Sequence, residues 1–287
     1  MKAFSKKWIA VAAGLALSSV SALASHLPGV SFGPQNFNVD PTAVGEAFPP
    51  FVAGSINFSV RSLINQAGTV FTEHGQIGFL TFFSNGVGSP ALGVGTTGLN
   101  VPSTGGPADP GYRLYALFQG SGTTVLANST IEGTFFTFLT QIFVDKNNDT
   151  VFNATGSQLP TIPVASYVDD VLVLTGDLQV GGFHLAGGPA KGDFDVIFNV
   201  TGFGPPGIGG KSFFSTTVDG MPLKQGRYTS VNSTLIGIVP PPASFVDGEV
   251  DGGSNLVFGA QAPEPTSLAL VGIALAGGAL ARRKAQA

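Results

Sequence analysis

Short stretches in which apolar and polar residues alternate, separated by segments rich in Gly and Pro, most strongly limit the fold of this chain. The clearest stretch covers residues 193–201, where Phe194, Val196, Phe198 and Val200 fall on one face. Alternation with a period of two residues is typical of a strand that buries one face. No amphipathic helix of convincing length occurs between the two ends of the chain, so the sequence predicts an all-β protein.

Further stretches rich in β-branched and aromatic residues also predict strands. They cover residues 112–118, 133–144, 170–174 and 254–258. The stretch Val70–Phe83 predicts one or two strands with a break at Gly75. Residues 84–110 and 201–210 are dense in Gly and Pro and predict loops. Short strands at this spacing predict a Gly-rich body that resembles a β-sandwich.

The composition agrees with a folded, cysteine-free body. The chain contains 41 Gly, 20 Pro and 24 Phe, and only 10% of its residues are charged, against roughly a quarter in ordinary soluble proteins. Disorder requires low hydrophobicity together with high net charge, which this chain lacks. The absence of Cys excludes disulfides, thiol catalysis and cysteine-ligated metals. The only Trp, Trp8, lies near the N-terminus, so the body offers no Trp platform.

The body between the two ends is acidic, with sixteen Asp and Glu residues against seven Lys and Arg residues. Such a surface repels other polyanions. The sequence therefore predicts no nucleic-acid partner and leaves cations or neutral polymers as candidates.

The N-terminus predicts a secretory signal peptide over residues 1–24. Three lysines among the first seven residues precede the apolar stretch 8–17, and Ala22 and Ala24 form an A-x-A cleavage site. A basic start, a short apolar stretch and a small-residue site are typical of an export signal. The alternative is an uncleaved anchor or a buried helix, but the apolar stretch is short for a membrane span.

The C-terminus combines a proline-rich tripeptide, a short apolar stretch and a basic end. The tripeptide is Pro263, Glu264 and Pro265, the stretch covers residues 268–281, and the basic end is Arg282, Arg283 and Lys284. The stretch falls short of the ~20 residues of an ideal spanning helix but predicts a short transmembrane helix. A basic end stays in the cytoplasm, which places the body outside. The alternative is a plain tail anchor with a chance tripeptide.

These three features in this order resemble the PEP-CTERM sorting signal of Gram-negative bacteria. The resemblance implies that an exosortase of the inner membrane recognises residues 263–265 and processes the tail. Two prolines would hold this segment extended, so that an enzyme can read it just outside the bilayer. The chain would then divide into a signal peptide (1–24), a β-rich extracellular body (25–260) and a sorting signal (261–287). The tail would hold the protein at the inner membrane transiently.

The body itself resembles the flocculation-associated PEP-CTERM proteins, which are linked to floc and biofilm formation in bacteria that secrete exopolysaccharide. The blocks that carry this resemblance cover residues 36–43, 95–99, 112–118, 145–150, 169–172 and 210–214. The match weakens after Phe214 and across residues 239–248. The resemblance implies a non-enzymatic matrix or cell-surface protein of a Gram-negative bacterium, with exopolysaccharide as a partner.

One segment combines acidic and amide oxygens at the spacing of a calcium loop. Asp145, Asn147 and Asp149 occupy positions 1, 3 and 5. Positions 6 and 12 are Thr150 and Gly156, where the loop requires Gly and Glu. A hairpin turn built from Asn and Asp residues explains the segment equally well. Calcium is therefore kept as a possible ligand, and no other cofactor is predicted.

Motifs of enzymes lack the context that they need. Residues 93–98 match G-x-G-x-x-G without a preceding strand and following helix, and residues 29–33 match G-x-S-x-G without a strand-to-helix turn. The sequence therefore predicts no enzyme. The second hypothesis is a carbohydrate- or ice-binding module, although the sequence contains no regular Thr-x-Thr array. The third is a secreted hydrolase that uses His184 or Asp195.

Overall fold

The computed structural model describes residues 32–85, 89–100, 111–127, 130–148, 150, 170–186, 191–204, 212–217, 223–236, 247–249 and 254–261. The predicted signal peptide, with Ala22 and Ala24, lies outside these residues. So do Asp149 and the predicted sorting signal beyond Gln261.

The described part of the chain is built almost entirely from strands. In chain order they are β1 (Phe32–Gln35), β2 (Phe37–Val39), β3 (Phe51–Ala53), β4 (Ser55–Ala67), β5 (Val70–Phe83), β6 (Arg113–Ala127), β7 (Thr130–Asp145), β8 (Val171–Ala186), β9 (Lys191–Phe203), β10 (Phe214–Thr216), β11 (Gln225–Ile236), β12 (Asp247–Glu249) and β13 (Asn255–Gln261). A 3₁₀ turn at Pro41–Val44 and the one-turn helix α1 (Val94–Thr97) are the helical elements of the described residues. The all-β prediction is confirmed.

Eight of the strands form a closed antiparallel sheet in the order β13–β4–β5–β6–β7–β8–β9–β11. The ring closes because β11 pairs with both β9 and β13. Strands β1 and β12 extend it on β13 and β11. The predicted sandwich of two facing sheets is therefore wrong: one barrel-like sheet curls onto itself. Strands of 12–16 residues joined to their sequence neighbours can curl in this way, and closure gives each of the eight strands a partner on both sides over at least part of its length.

Aromatic rings fill the inside of the closed sheet. Phe71 contacts Phe135 and Phe183 edge-to-face, with ring centroids 5.2 and 5.1 Å apart. Further buried residues of this cluster are Phe58, Phe79, Phe118, Phe138, Phe198 and Tyr228. Edge-to-face pairs add about 0.5–1.5 kcal/mol beyond the burial of area alone. Because the body has no disulfide, this packed interior is its main source of stability.

A small antiparallel sheet of β10, β2 and β3 packs against one end of the closed sheet. The Phe37 ring lies 4.8 Å from that of Phe258, and the Phe51 ring lies 5.0 Å from that of Phe82. At the same end, Phe32 of β1 pairs with Gln261 of β13. The described body therefore begins and ends side by side on neighbouring strands.

Within the described ranges, no helix has the length and the hydropathy that a membrane span requires. The predicted span 268–281 lies outside those residues.

Candidate functional site

A row of hydroxyl and amide side chains crosses four neighbouring strands on the outside of the closed sheet. Asn65 of β4 pairs with Thr72 of β5, which pairs with Ser121 of β6, which pairs with Thr137 of β7. Three of these residues are exposed, and Ser121 is half-buried. The Ser121 and Thr137 hydroxyl oxygens lie 2.7 Å apart and share a hydrogen bond. With strands ~4.8 Å apart, the row is about 14 Å long.

Two further rows flank the first. One consists of Val70, Thr123 and Thr134, and the other of His74, Gln119 and Leu139. We call the three rows, together with Phe136, the hydroxyl face.

A β-bulge turns the side chain of Phe136 towards the outside of the sheet. Gly122 pairs with Phe135 and Ser121 pairs with Thr137, so Phe136 is an extra residue on β7 without a direct partner on β6. A bulge of this kind re-aims the side chains on either side of it. Phe135 and Phe138 are buried, whereas Phe136 is 65% exposed. The bulge thus places an aromatic ring on the outside of the sheet beside the row of hydroxyls.

The hydroxyl face carries no Asp, Glu, Lys or Arg among its members. Its one titratable side chain is His74, whose pKa burial lowers from the ordinary value of 6.5. Burial disfavours the charged imidazolium, so His74 is neutral at neutral pH. This outer face is therefore uncharged on a body whose sequence is strongly acidic.

The hydroxyl face also lies far from the point at which the described chain ends. β13 runs antiparallel to β4 towards the end where Ser55 pairs with Phe83. Thr72 lies eleven residues from Phe83 along β5, which at ~3.3 Å per residue corresponds to about 35 Å.

The predicted calcium segment forms a hydrogen-bonded turn at the end of β7. Buried Asp145 accepts a hydrogen bond from the Thr150 backbone N–H at 3.1 Å. The Thr150 hydroxyl donates to Asp170 at 2.8 Å, and the Tyr115 hydroxyl donates to the same Asp170 oxygen at 2.6 Å. Asn148 adopts a left-handed φ of 56°, as Asn often does in turns. The geometry favours the alternative of an Asn- and Asp-rich turn, and sequence spacing did not reveal Asp170 as its partner.

Within the described residues, no three His, Asp or Glu side chains lie close enough together to hold a metal. Asn147 is exposed, and Asp149 lies outside the described residues. Calcium bound by Asp145, Asn147 and Asp149 therefore stays a prediction.

The carboxyl group of Glu73 lies inside the closed sheet. Glu73 is 6% exposed and lies opposite Ile64 and Gly120 on the neighbouring strands. Burial raises the pKa of Glu73 to about 7, and a hydrogen bond from Ser62 opposes the shift. Its Oε2 has no hydrogen-bond partner among the described residues. The sequence pair Glu73–His74 is thus divided, with one side chain inside the sheet and the other outside.

The residues considered for hydrolysis make side-chain contacts on the outside of β7–β9 and β11. His184 Nδ1 lies 2.5 Å from Glu132 Oε1. Asp195 accepts hydrogen bonds from Arg227 Nε at 2.8 Å and from Arg227 Nη2 at 2.6 Å. The bidentate Arg227–Asp195 ion pair is largely shielded from water, since the two side chains are only 15% and 11% exposed.

The described body is thus a closed all-β sheet that continues past Gln261 into a C-terminal extension. That extension carries the PEP-CTERM protein-sorting motif, which matches residues 261–284. The match includes the predicted recognition residues Pro263, Glu264 and Pro265, as well as the basic end Arg282, Arg283 and Lys284. The motif supports an exosortase substrate that is secreted from, or held on the surface of, a Gram-negative bacterium.

Comparison with curated proteins and with solved structures gave no match. The sorting motif is therefore the comparison that bears on function.

Proposed function

We propose that this protein is a non-enzymatic matrix or cell-surface protein that associates with exopolysaccharide during floc or biofilm formation. The observation that carries the proposal is the sorting motif at residues 261–284, which assigns the chain to export and exosortase processing. In this account the signal peptide directs secretion, and residues 268–281 hold the chain at the inner membrane. The exosortase then processes the segment near residues 263–265.

The body supports the matrix role through its stability and its charge. Each of the eight strands of the closed sheet has a neighbouring strand on both sides, which limits the exposed sheet edge and suits a protein that must persist outside the cell. The excess of acidic residues repels nucleic acid and anionic lipid and leaves neutral polymers as the better partners. The alternative of a carbohydrate-binding module gains support from the hydroxyl face, and the two proposals share polysaccharide as the partner.

A deletion strain tests the proposal. We expect loss of floc or biofilm formation, with recovery when the full-length gene is returned. A gene truncated after Gln261 supplies the matched control, because it keeps the closed sheet and removes the sorting motif. We expect this variant to be exported but not to restore floc formation. Normal floc and biofilm formation in the deletion strain would remove the proposed role.

A further inference from the structure

We infer that the hydroxyl face is the surface that contacts polysaccharide and that its ligand is an uncharged polysaccharide. The inference rests on the proposed function and adds to it a binding surface and a chemical class of ligand.

The row of Asn65, Thr72, Ser121 and Thr137 fits a polymer with repeating hydroxyl groups. Hydroxyl and amide groups both donate and accept hydrogen bonds, so each can pair with a sugar hydroxyl in either sense. The row presents one such group per strand at the regular spacing of the sheet. The Ser121–Thr137 hydrogen bond fixes two of the groups before a ligand arrives, which lowers the entropic cost of binding.

Phe136 supplies the apolar part of the same surface. Its ring is 65% exposed, and Val70 and Leu139 in the two flanking rows are 53% and 39% exposed. Exposed apolar groups gathered beside polar ones mark interaction surfaces more often than isolated apolar residues do. The C–H face of a sugar ring can pack on an aromatic ring and remove both from water, while the sugar hydroxyls reach the neighbouring row.

The charge of the surface selects among polysaccharides. A polymer of uronic acids or sulfated sugars is recognised by Arg or Lys, and the hydroxyl face contains neither. The surrounding body is acidic and repels a polyanion further. A neutral polysaccharide meets neither obstacle.

The position of the surface agrees with this role. The hydroxyl face lies about 35 Å along β5 from the end at which the chain runs on towards the sorting motif. A body still held by its tail would therefore present the face away from that attachment point.

Binding of the mature protein to three polysaccharides tests the inference. The probes are the exopolysaccharide of the producing strain, cellulose as a neutral polymer and alginate as a polymer of uronic acids. The test variants are Phe136→Ala and the double variant Ser121→Ala/Thr137→Val. The matched control is Leu80→Ala, because Leu80 is 48% exposed on β5 outside the hydroxyl face. Thermal melting of each variant shows whether the body remains folded.

We expect wild type and Leu80→Ala to bind the strain's exopolysaccharide and cellulose but not alginate. Both test variants should bind at least tenfold more weakly while melting at the wild-type temperature. If both test variants bind with wild-type affinity, the hydroxyl face is not the binding surface, and the proposed function is unaffected. If the wild type binds alginate more tightly than cellulose, the inference that the ligand is uncharged is wrong. Failure of the wild type to bind the strain's own exopolysaccharide overturns the proposed function and the inference together.

A second copy of the chain is the competing occupant of the hydroxyl face. Sedimentation of wild type and Phe136→Ala separates the two cases. We expect the same oligomeric state for both. An assembly that Phe136→Ala dissociates, with polysaccharide binding unchanged, would make the face a self-association surface and overturn the inference.

Discussion

Gly133 of β7 and Phe183 of β8 lie directly opposite each other, and the Phe183 ring occupies the space that a side chain at residue 133 would need. A Cβ at residue 133 would lie 2.2 Å from Cε1 of that ring. Gly226 and Phe198 repeat the arrangement on β11 and β9, with a corresponding distance of 2.1 Å. A large ring that lies over a glycine on the neighbouring strand covers backbone that would otherwise be bare. The many Gly and the many Phe residues of the sequence therefore pack together in the interior of the closed sheet.

Gly133→Ala should destabilise the body, because the added methyl group meets a buried aromatic ring that already packs against Phe71 and Phe135. Overpacking of this kind costs about 1–3 kcal/mol. We expect a loss near the upper part of that range in the free energy of unfolding, measured by urea denaturation.

Gly93→Ala is the matched control, since a Cβ at residue 93 has no atom within 4 Å and the backbone φ is −64°. We expect a change below about 0.5 kcal/mol for this variant, as for most surface substitutions. Equal stability of the two variants would show that the glycines are not required by the packing of the rings.

Glu73 should make the body less stable as the pH rises. The ordinary pKa of this carboxyl group is 4.5, and burial raises it to about 7 in the folded protein. Between these pH values the folded state holds a proton that the unfolded chain has released, so the free energy of unfolding falls as pH increases. The difference in pKa corresponds to a loss of about 3 kcal/mol, complete above pH ~7.

Glu73→Gln isolates this effect, because the amide keeps the shape of the side chain and does not titrate. His74 acts in the opposite direction, since its lowered pKa adds stability as pH rises towards 6.5, but it is present in both proteins. Thermal melts at pH 5 and pH 8 should show Glu73→Gln gaining on wild type at the higher pH. A constant difference between the two proteins at both pH values would contradict a buried, titrating Glu73.

Arg227→Met should cost about 3 kcal/mol or more, because it leaves the carboxylate of Asp195 shielded from water without its guanidinium partner. The double variant Arg227→Met/Asp195→Leu should recover most of the loss, since no shielded charge remains. His184→Gln, which breaks the more exposed pair with Glu132, should cost less than about 1 kcal/mol. Urea denaturation of the three variants measures these differences. A double variant as unstable as Arg227→Met would contradict the charge-based explanation.

Local patterns predicted the all-β class and the positions of several strands, because alternation of the kind seen at Phe194 and Val196 depends on a few neighbouring residues. They left one or two strands open over Val70–Phe83, and β5 is a single strand that continues through the predicted break at Gly75. A glycine in a strand normally signals an interruption, but here Gly75 pairs with Phe118 of the adjacent strand β6 within a continuous ladder. Closure of the sheet depends on the pairing of β11 with β13, and no local pattern encodes that contact.

The candidate binding surface was missed for a related reason. The sequence has no regular Thr-x-Thr array, because Thr72, Ser121 and Thr137 come from three different strands and meet only through the register of the sheet. The outward position of Phe136 depends on a bulge that the apolar stretch 133–144 conceals. The sorting residues Pro263, Glu264 and Pro265 were predictable, because an enzyme reads them as a short contiguous segment.

Intact-mass analysis of the protein from the producing strain tests the central claim of exosortase sorting most directly. Membrane and culture fractions are compared for the native protein and for a variant with Ala at Pro263, Glu264 and Pro265. We expect the native mass to lack both the signal peptide and the residues after the tripeptide, with the variant left unprocessed in the membrane fraction. Full-length tails in both proteins would contradict exosortase sorting and leave a simple membrane anchor.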